Sequence, residues 1–415
     1  MMAAAAHEAT AQAGQAHARP EAARLSLIDA LRGAALFGVL VVNMLWFAGQ
    51  GHAVTAEQFA ALPSARLDAV ADNLIDMLIA AKAIGIFSFL FGVGFAMQIP
   101  KLKGRYPRRL VALFALGLVH WLAVWSGEIL HVYAIAGFIL LLVYRLRVAV
   151  LVPLGLALAV FARPLVGRLY LMFDSGAVAA AHPDSWSVAE RLAVMSHGHF
   201  VDVVTMQLQQ DCRWQVLSGA TLAAVVHALG RFMVGVAVAR GGYLREPERY
   251  QRAFGILAMC LLPVGFVLEH DWLFTGWLLH SGLLTQAVSM QFIGHAVNSA
   301  GVVCMTIGYV ALFALLWQWS PVQRALAWLV PAGRMALTNY LSQTAINYLL
   351  FCGFGFALIG KVGAAGCLAL SVVVFVAQAL ASRWWLASFN HGPLEWLWRW
   401  WTYGERPVLR RAVAA

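Results

Sequence analysis

Long apolar runs separated by short polar segments make up most of the chain from residue 27 onward. A helix rises about 1.5 Å per residue, so about 20 residues cross about 30 Å of hydrocarbon. Runs near that length lie at residues 27–49, 78–99, 108–126, 129–146, 148–168, 216–240, 251–269, 287–317, 325–352 and 362–383. The pattern predicts an all-α polytopic integral membrane protein with about ten transmembrane helices and additional interfacial helices.

Three segments flank or interrupt the predicted transmembrane domain, residues 25–390. Residues 1–24 are alanine-rich and lack a secretory apolar region, which predicts a disordered cytoplasmic tail. Residues 169–215 are predicted to form the main external loop. Residues 391–415 mix aromatic residues with arginine, and they predict an amphipathic segment on the cytoplasmic surface. Within that segment the spacing of Glu395 and Arg399 predicts a local ion pair.

The second run begins polar and becomes apolar over residues 68–98. An interfacial helix tolerates charged residues, whereas a lipid-facing span does not. We therefore favour an interfacial helix that leads into the second span, and the alternative is one long span with Asp76 and Lys82 buried. The glycines within residues 87–98 are spaced for close contact with another helix.

Composition and charge agree with a membrane protein. Hydrophobic residues make up 62% of the chain and charged residues 12%, whereas a soluble domain is about 45–50% apolar and about 25% charged. The 29 basic residues exceed the 19 acidic ones, but they form short clusters between apolar runs, which argues against nucleic-acid binding. Ten alternating spans place these clusters on one side, so the positive-inside rule predicts that both termini are cytoplasmic.

Polar side chains inside the first span need partners or water, because hydrocarbon offers neither. Asp29 and Arg32 are three residues apart, which predicts an ion pair on one helix face. Asn43 follows Arg32 by eleven residues, about three turns, and shares nearly the same face in the opposite leaflet. The alternative interpretation is an interface anchor and an amide that packs against another helix.

The ninth span carries a longer polar stripe. Asn339, Gln343 and Asn347 recur every four residues, and Arg334 lies at the cytoplasmic end. One face of this helix therefore cannot contact lipid. We predict that the stripe lines a water-filled cavity, and the alternative is that it binds a neighbouring helix.

Histidine is the usual carrier of protons near neutral pH, so histidines in the spans are candidate proton-transfer groups. A packing or hydrogen-bonding role is the alternative for each. Three groups occur, at the turn between the third and fourth spans, in the sixth span and in the eighth: His120, Glu128, His131 and Tyr133; His227 and Arg231; His295, Asn298 and Ser299. The five cysteines form no CxxC motif, and no metal site is predicted.

Five blocks occur in order along nearly the whole chain: RLSLIDALRGAALFGVLVVNM (24–44), FSFLFGVGFAMQ (87–98), GEILHVYAIAG (127–137), GRMALTNYLSQ (333–343) and GPLEWLWRWWTYG (392–404). Together they resemble the YeiB family of bacterial inner-membrane proteins, whose second half is a domain of unknown function. The resemblance implies a multi-pass protein of the bacterial inner membrane in contact with lipids. It implies no activity, because members are described as uncharacterised membrane proteins or as transporters.

The first block also resembles, more distantly, the first helix of the transmembrane acyltransferase superfamily. In the branch similar to heparan-α-glucosaminide N-acetyltransferase that helix reads RG…VN, with asparagine where Asn43 stands. A histidine follows there at a slightly larger spacing than the nine residues that separate His52 from Asn43 here. The resemblance implies that Arg32 and Arg334 meet the phosphates of a cytoplasmic acyl-CoA-type donor, that Asn43 positions the thioester or its oxyanion, and that His52 accepts a proton.

The sequence therefore predicts an acyltransferase-like protein, with His52 and Asn43 as candidate catalytic residues. The candidate binding residues are Asp29, Arg32, Arg334, Asn339, Gln343, Asn347, His120 and Glu128. The alternatives are a transporter of a small solute or lipid and a non-catalytic lipid-binding protein. Acyl-CoA is expected as a donor substrate, no metal is expected, and a homodimer is left open.

Overall fold

The computed structural model describes residues 26–102, 104–173, 186–270 and 287–411. Its regular elements in these ranges are helices, and the prediction of an all-α polytopic membrane protein is confirmed. The predicted tail, residues 1–24, lies outside the described residues.

The helices of the described residues are numbered here in chain order. They are α1 (Ser26–Phe47), α2 (Ala56–Ala60), α3 (Ala65–Leu78), α4 (Lys82–Gln98), α5 (Tyr106–Ala123), α6 (Leu130–Val143), α7 (Val148–Phe173), α8 (Val188–His197), α9 (Phe200–Gln207), α10 (Arg213–Leu217), α11 (Ala220–Arg240), α12 (Gln251–Glu269), α13 (Ala287–Leu316), α14 (Ser320–Leu326), α15 (Leu329–Arg334), α16 (Ala336–Phe351), α17 (Ala364–Ser388) and α18 (Pro393–Tyr403). A π-helical turn, Leu208–Cys212, joins α9 to α10, and a 3-10 turn, Pro247–Tyr250, precedes α12.

Seven helical stretches within the described ranges are long and apolar enough to cross a membrane. They are Ser26–Phe47, Ala65–Gln98, Val148–Leu169, Ala220–Arg240, Pro247–Glu269, Phe292–Leu316 and Ala364–Ser388. The predicted number of about ten is not confirmed. The three remaining predicted spans coincide with α5, with α6 of 14 residues, and with the pair α15 and α16, in which α16 has 16 residues.

One end of the bundle holds the start of α1 and the end of the described chain, and we call it the proximal end. The backbones of α1 and α15 touch there, because a Cβ on Gly333 would overlap the Asp29 carbonyl oxygen. Arg105 donates a hydrogen bond to the Tyr403 carbonyl at 2.8 Å, which joins the start of α5 to α18. Arg240 at the end of α11 donates to the Leu146 carbonyl at 2.8 Å.

The opposite, distal end is covered by α8–α10, which belong to the predicted external loop. Gln207 accepts a hydrogen bond from the Ser126 amide at 2.9 Å and donates to the Tyr348 hydroxyl at 3.0 Å. Asp211 accepts from the Ser126 hydroxyl at 3.2 Å and pairs with Arg191 at 3.1 Å. These contacts fix the cap on the turn between α5 and α6.

Close contact of α4 with α11 confirms the prediction made from the glycines of residues 87–98 for Gly92, whereas Gly94 contacts no other helix within 4 Å. A Cβ on Gly92 would overlap the Phe232 carbonyl, and a Cβ on Gly235 would overlap the Phe89 carbonyl. Because only glycine leaves room there, the two backbones approach directly. Helix α11 also packs against α6 and α7, so it lies inside the bundle.

Helices α3 and α4 are separated by residues 79–81, where Ala81 has a φ of 58°. Asp76 is exposed and Lys82 is buried, at 1% exposure, so of the two charged residues only Lys82 is buried as the long-span alternative requires. The Lys82 ammonium pairs with Glu269 of α12 and donates to the Asp76 carbonyl at 2.6 Å. The buried lysine thus ties the helix break to a distant helix.

Two carboxylates from distant segments cap helix starts, where the first N–H groups lack intrahelical partners and carry partial positive charge. Asp68 of α3 accepts from the Ala365 amide of α17 at 3.0 Å. Glu395 of α18 accepts from the Leu337 and Thr338 amides at 2.8 and 3.0 Å and from the Thr338 hydroxyl at 2.6 Å. The predicted local Glu395–Arg399 pair is wrong, because α16 offers the carboxylate three donors at one place.

Replacing Glu395 by alanine is expected to destabilise the protein by about 2 kcal/mol, because α16 loses a capping group that also complements its dipole. Thermal unfolding of the purified protein measures the change. Glu405, an exposed acid in the same segment, provides the control through Glu405→Ala. Equal midpoints for the two variants would contradict a capping role for Glu395.

Candidate functional site

A cavity of about 40 Å³ lies between α1, α4, the α5–α6 turn and α16. Its lining residues with polar side chains are Asn43, Tyr133 and Tyr340, and the other lining residues are apolar or glycine. The lining residues are Leu36, Val39, Asn43, Ile84, Phe87, Gly127, Ile129, Leu130, Tyr133 and Tyr340. A water position needs about 10–15 Å³ by this measure, so the cavity holds a small functional group or a few waters. We call it the Asn43 cavity.

The Asn43 amide is half-buried in this cavity and forms no hydrogen bond with the residues that the structure describes. An amide without a partner is costly at membrane depth, where backbone groups of the helices satisfy only each other. Packing alone does not explain an asparagine at this position. Its donor and acceptor are available to whatever enters the cavity.

Contacts outside the cavity hold the side chains of Tyr133 and Tyr340 in place. The Tyr133 hydroxyl lies 2.6 Å from the Ser88 hydroxyl of α4, which in turn donates to the Ile84 carbonyl at 2.7 Å. The Tyr340 ring lies against the His120 ring, with centroids 5.9 Å apart. Both tyrosines are buried, so the polar wall of the cavity is fixed in place.

His120 lies behind Tyr340, at the end of α5. Its side chain is buried, and neither ring nitrogen has a hydrogen-bond partner among the described residues. Its ring also contacts Trp125, with centroids 6.4 Å apart. His120 does not itself line the Asn43 cavity, and the Tyr340 ring lies between the two.

Glu128 and His131 form a second buried polar pair beside the cavity. The Glu128 carboxylate lies 2.7 Å from Nδ1 of His131, accepts from the His131 amide at 3.1 Å and accepts from the Leu130 amide. The carboxylate therefore caps α6 and orients the imidazole at the same time. The His131 ring stacks on Trp121 of α5, and its Nε2 is buried without a partner.

His52 lies in the loop after α1 and is not among the residues that line the Asn43 cavity. Its ring stacks on Trp46 with centroids 4.3 Å apart, and its Nδ1 is 3.3 Å from the Gln50 carbonyl oxygen. Burial lowers the pKa of His52 below its usual value, so the imidazole is neutral near pH 7. Trp46 contacts Trp125, which connects His52 to the ring beside His120.

The polar stripe of α16 contacts a helix rather than the cavity over most of its length. Asn339 donates to the Ser382 hydroxyl at 2.9 Å, and Gln343 donates to the Gln378 side chain at 2.9 Å, both on α17. Asn347 is buried, and neither atom of its amide has a partner within the described residues. Among the predicted stripe and its flanking residues, Tyr340 is the one that reaches the cavity.

Cations gather at the proximal end of α1. The predicted Asp29–Arg32 pair is present, with 2.6 Å between its atoms. Arg334 is close enough to Asp29 to interact with it electrostatically. Arg334 and Arg399 also interact electrostatically with His391. We call Arg32, Arg334 and Arg399 the proximal cation cluster, and His391 lies beside it. Burial, together with the nearby Arg399 and Arg334, lowers the pKa of His391 to about 4.

A pH dependence follows from His391. Because its pKa is about 4 in the folded protein and about 6.5 in an unfolded chain, the unfolded state binds the additional proton between these values. Its contribution to stability is complete above pH 6.5 and is lost as the pH falls toward 4. His391→Gln is expected to flatten the fall of the unfolding midpoint between pH 7.5 and 4.5. His197→Gln, at an exposed distal position, is expected to leave it unchanged, and equal slopes for His391→Gln and the parent protein would contradict the assignment.

The remaining sequence candidates lie apart from the Asn43 cavity. On α13 the Asn298 amide donates to the Glu269 carbonyl at 3.2 Å, and Ser299 is buried. His227 and Arg231 are buried in α11. Within the part of the chain that the structure describes, no group of three His, Cys, Asp or Glu residues is placed to hold a metal ion.

The chain is similar in sequence to known proteins over nearly its whole length. Residues 238–405 match a family model described as a protein of unknown function, DUF418. The chain is 27% identical to uncharacterized protein YxaH of Bacillus subtilis, with 94% of this chain and 96% of that protein covered. It is 29% identical to uncharacterized protein YeiB of Escherichia coli K12, with 90% and 94% covered.

Over nearly its whole length the chain is similar to YeiB-family proteins. A further relative, an uncharacterized 39.9 kDa protein from the 3′ region of an amylase gene of Bacillus acidopullulyticus, is 27% identical, with 94% of this chain and 97% of that protein covered. The names of these relatives state no activity, so the similarity does not define the chemistry of the Asn43 cavity. No solved structure matches the chain.

Proposed function

We propose that this protein is a membrane-embedded acyltransferase, which moves an acyl group from a cytoplasmic acyl-CoA-type donor to an acceptor at or across the membrane. The observation that carries the proposal is the Asn43 amide, which forms no hydrogen bond with the described residues and lines a partly open cavity between the helices. A preorganised N–H donor in a water-poor cavity stabilises the oxyanion that forms when a thioester is attacked.

The position of the proximal cation cluster supports entry of the acyl-CoA-type donor from the proximal end. Arginine guanidinium groups bind phosphates through paired hydrogen bonds. Arg32 and Asn43 lie on the same helix, eleven residues apart, which is about 16 Å at 1.5 Å per residue. That separation suits an extended pantetheine arm, with its phosphates at the cluster and its thioester at the Asn43 cavity.

The reaction requires one base near the thioester. The acceptor hydroxyl or amine attacks the acyl carbonyl, the base takes its proton, the oxyanion is held by Asn43, and the CoA thiolate leaves and regains a proton. His120 fits this role best, because both of its ring nitrogens are unpartnered and it contacts Tyr340 at the cavity wall. His52, the base expected from the sequence, stacks on Trp46 and is not among the residues that line the Asn43 cavity.

The proposal includes an orientation in the bacterial inner membrane. Arginines cluster at the proximal end, for example Arg105, Arg240 and Arg334. Acidic residues are frequent at the distal end, for example Asp68 and Asp211. By the positive-inside rule the proximal end faces the cytoplasm, where acyl-CoA is available. The acceptor then reaches the Asn43 cavity from the distal end or from the lipid.

Release of CoA thiol by the protein in liposomes, with a bacterial envelope extract as the source of acceptors, tests the proposal. His120→Gln is expected to slow release by about 10²–10⁴-fold, as loss of a general base does, and His52→Gln is the matched comparison. Loss confined to His52→Gln would assign the base to His52. Release no faster than from protein-free liposomes, for acyl chains from acetyl to palmitoyl, would contradict acyl transfer and favour a transporter.

A further inference from the structure

Helix α18 is held against the bundle by residues on one of its sides. The Glu395 carboxylate caps the start of α16. The Trp398 indole donates to the Arg109 carbonyl of α5 at 2.9 Å, and the Arg109 guanidinium lies 3.4 Å from the centre of the Trp398 ring. Thr402 is buried. Positions 395, 398 and 402 are three and four residues apart, so they share one face of the helix.

The opposite face of α18 is exposed and apolar. Leu397, Trp400 and Trp401 are 49%, 44% and 61% exposed. Their spacing places them on one stripe of the helix. Removal of apolar surface from water is favourable, and tryptophan is enriched where the membrane meets water. The stripe is therefore suited to the boundary between lipid and water.

Residues 406–410 return past the end of α17. An isolated antiparallel bridge holds Arg410, and the Asn390 amide donates to the Leu409 carbonyl at 2.8 Å. The even-numbered residues of the segment are exposed and the odd-numbered ones are half-buried, which is the alternation of an extended chain with one face outward. Backbone pairing thus holds Arg406 and Arg410 on the outward side.

An arginine of this segment lies beside the apolar stripe. The Arg406 guanidinium is 5.4 Å from the centre of the Trp396 ring, and the centres of the Trp396 and Trp400 rings are 5.4 Å apart. The Trp396 indole donates to the Pro407 carbonyl at 2.8 Å. The two outward faces are thereby joined, and we call them together the C-terminal platform: Leu397, Trp400, Trp401, Arg406, Val408 and Arg410.

The C-terminal platform lies close to the membrane surface. The spanning stretch Ala364–Ser388 ends two residues before Asn390, which holds the return segment. Residues 404–411 contain three arginines and one acid, Glu405. The platform therefore combines an apolar stripe with net positive charge where a spanning helix leaves the hydrocarbon.

We propose that the C-terminal platform binds an anionic phospholipid of the adjoining leaflet. Arg406 and Arg410 bind the headgroup phosphate, since guanidinium groups pair with phosphate oxygens. The acyl chains contact the stripe of Leu397, Trp400 and Trp401. A second copy of the chain is disfavoured as the occupant, because a symmetric interface brings the same arginines together. The inference does not depend on acyl transfer.

Native mass spectrometry of the full chain in detergent, titrated with phosphatidylglycerol or phosphatidylcholine, tests the proposal. The first phosphatidylglycerol is expected to bind about 10-fold more tightly than phosphatidylcholine. Arg406→Gln/Arg410→Gln should remove most of this preference, and both side chains are exposed, so the variant is expected to fold. Arg245→Gln/Arg252→Gln, which replaces two exposed arginines after α11, is the matched control and should retain the preference.

A second variant and a second probe separate a lipid from a free phosphate. Trp400→Ser/Trp401→Ser is expected to weaken binding of both lipids, because their acyl chains lose the stripe. A photoreactive phosphatidylglycerol should label peptides from residues 396–411. Equal affinity for the two lipids, displacement of phosphatidylglycerol by an equal concentration of glycerol phosphate, or labelling confined to other parts of the chain would overturn the proposal. An equal loss of preference in the control variant would do the same.

Discussion

Replacing Asn43 by alanine is expected to lower the rate of acyl transfer by about 10²–10³-fold, the usual loss for one oxyanion donor. The same change should leave thermal stability nearly unaltered, because the amide forms no hydrogen bond with the described residues and lines a cavity. Release of CoA thiol and the unfolding midpoint are measured on the same preparation. The combination separates a catalytic amide from one that packs helices.

Asn339→Ala provides the matched control, since it removes the same chemical group from a different place. The Asn339 amide donates to Ser382 at 2.9 Å and to the Ala332 carbonyl at 3.2 Å. Its loss leaves buried partners unsatisfied and is expected to cost about 1–3 kcal/mol of stability with little change in rate. A reversed pattern, in which Asn43→Ala unfolds the protein and Asn339→Ala abolishes activity, would place the reaction in the polar stripe of α16.

Lys82→Met is expected to have the largest effect on stability, a loss of about 3–5 kcal/mol, which is typical when one partner of a buried ion pair is removed. Lys82 is 1% exposed and its partner Glu269 is 8% exposed. The Glu269 Oε2 atom is already buried without a partner, so the variant leaves the whole carboxylate uncompensated. Chemical unfolding in detergent measures the change in free energy.

Two further variants test whether loss of the Lys82–Glu269 ion pair causes the destabilisation. The double variant Lys82→Met/Glu269→Gln is expected to recover most of the loss, because no uncompensated charge remains. Arg249→Met breaks an exposed pair with Glu246, with 3.8 Å between the charged atoms, and should change stability by less than about 1 kcal/mol. A double variant as unstable as Lys82→Met would mean that the lysine side chain acts through packing.

The length and spacing of apolar runs predicted the seven long apolar helices of the described residues, but the predicted total of about ten is not confirmed. Each such helix can be predicted from its own residues, because the length of an apolar segment decides whether the helix crosses the membrane. The Asp29–Arg32 pair was predictable for the same reason, since residues three apart on a helix are neighbours. Close packing at Gly92 followed from a glycine spacing that is also local in the sequence.

Contacts between distant segments were not predictable in this way. Lys82 and Glu269 are 187 residues apart, and no periodicity relates them. Glu395 has a suitable local partner in Arg399, yet three donors at the start of α16 are a stronger site for its carboxylate. Local pairing rules fail when a distant helix terminus competes for the same group.

The polar stripe of α16 illustrates a subtler difficulty. Helical spacing established that Asn339 and Gln343 avoid lipid, but it does not distinguish a cavity from a polar neighbour. The sequence did contain a relevant signal, because Gln378 and Ser382 are also four residues apart on α17. Two stripes with matching spacing favour a contact between two helices, and the structure places them together.

A structure of the protein with an unreactive thioether analogue of acetyl-CoA tests the central claim most directly. We predict elongated density that begins at Arg32, Arg334 and Arg399 and ends with the acyl carbonyl within hydrogen-bond distance of the Asn43 amide. The Asn43 cavity would then be occupied and the helices around it displaced. Density that leaves Asn43 unoccupied at saturating analogue, or no density at all, would contradict the account.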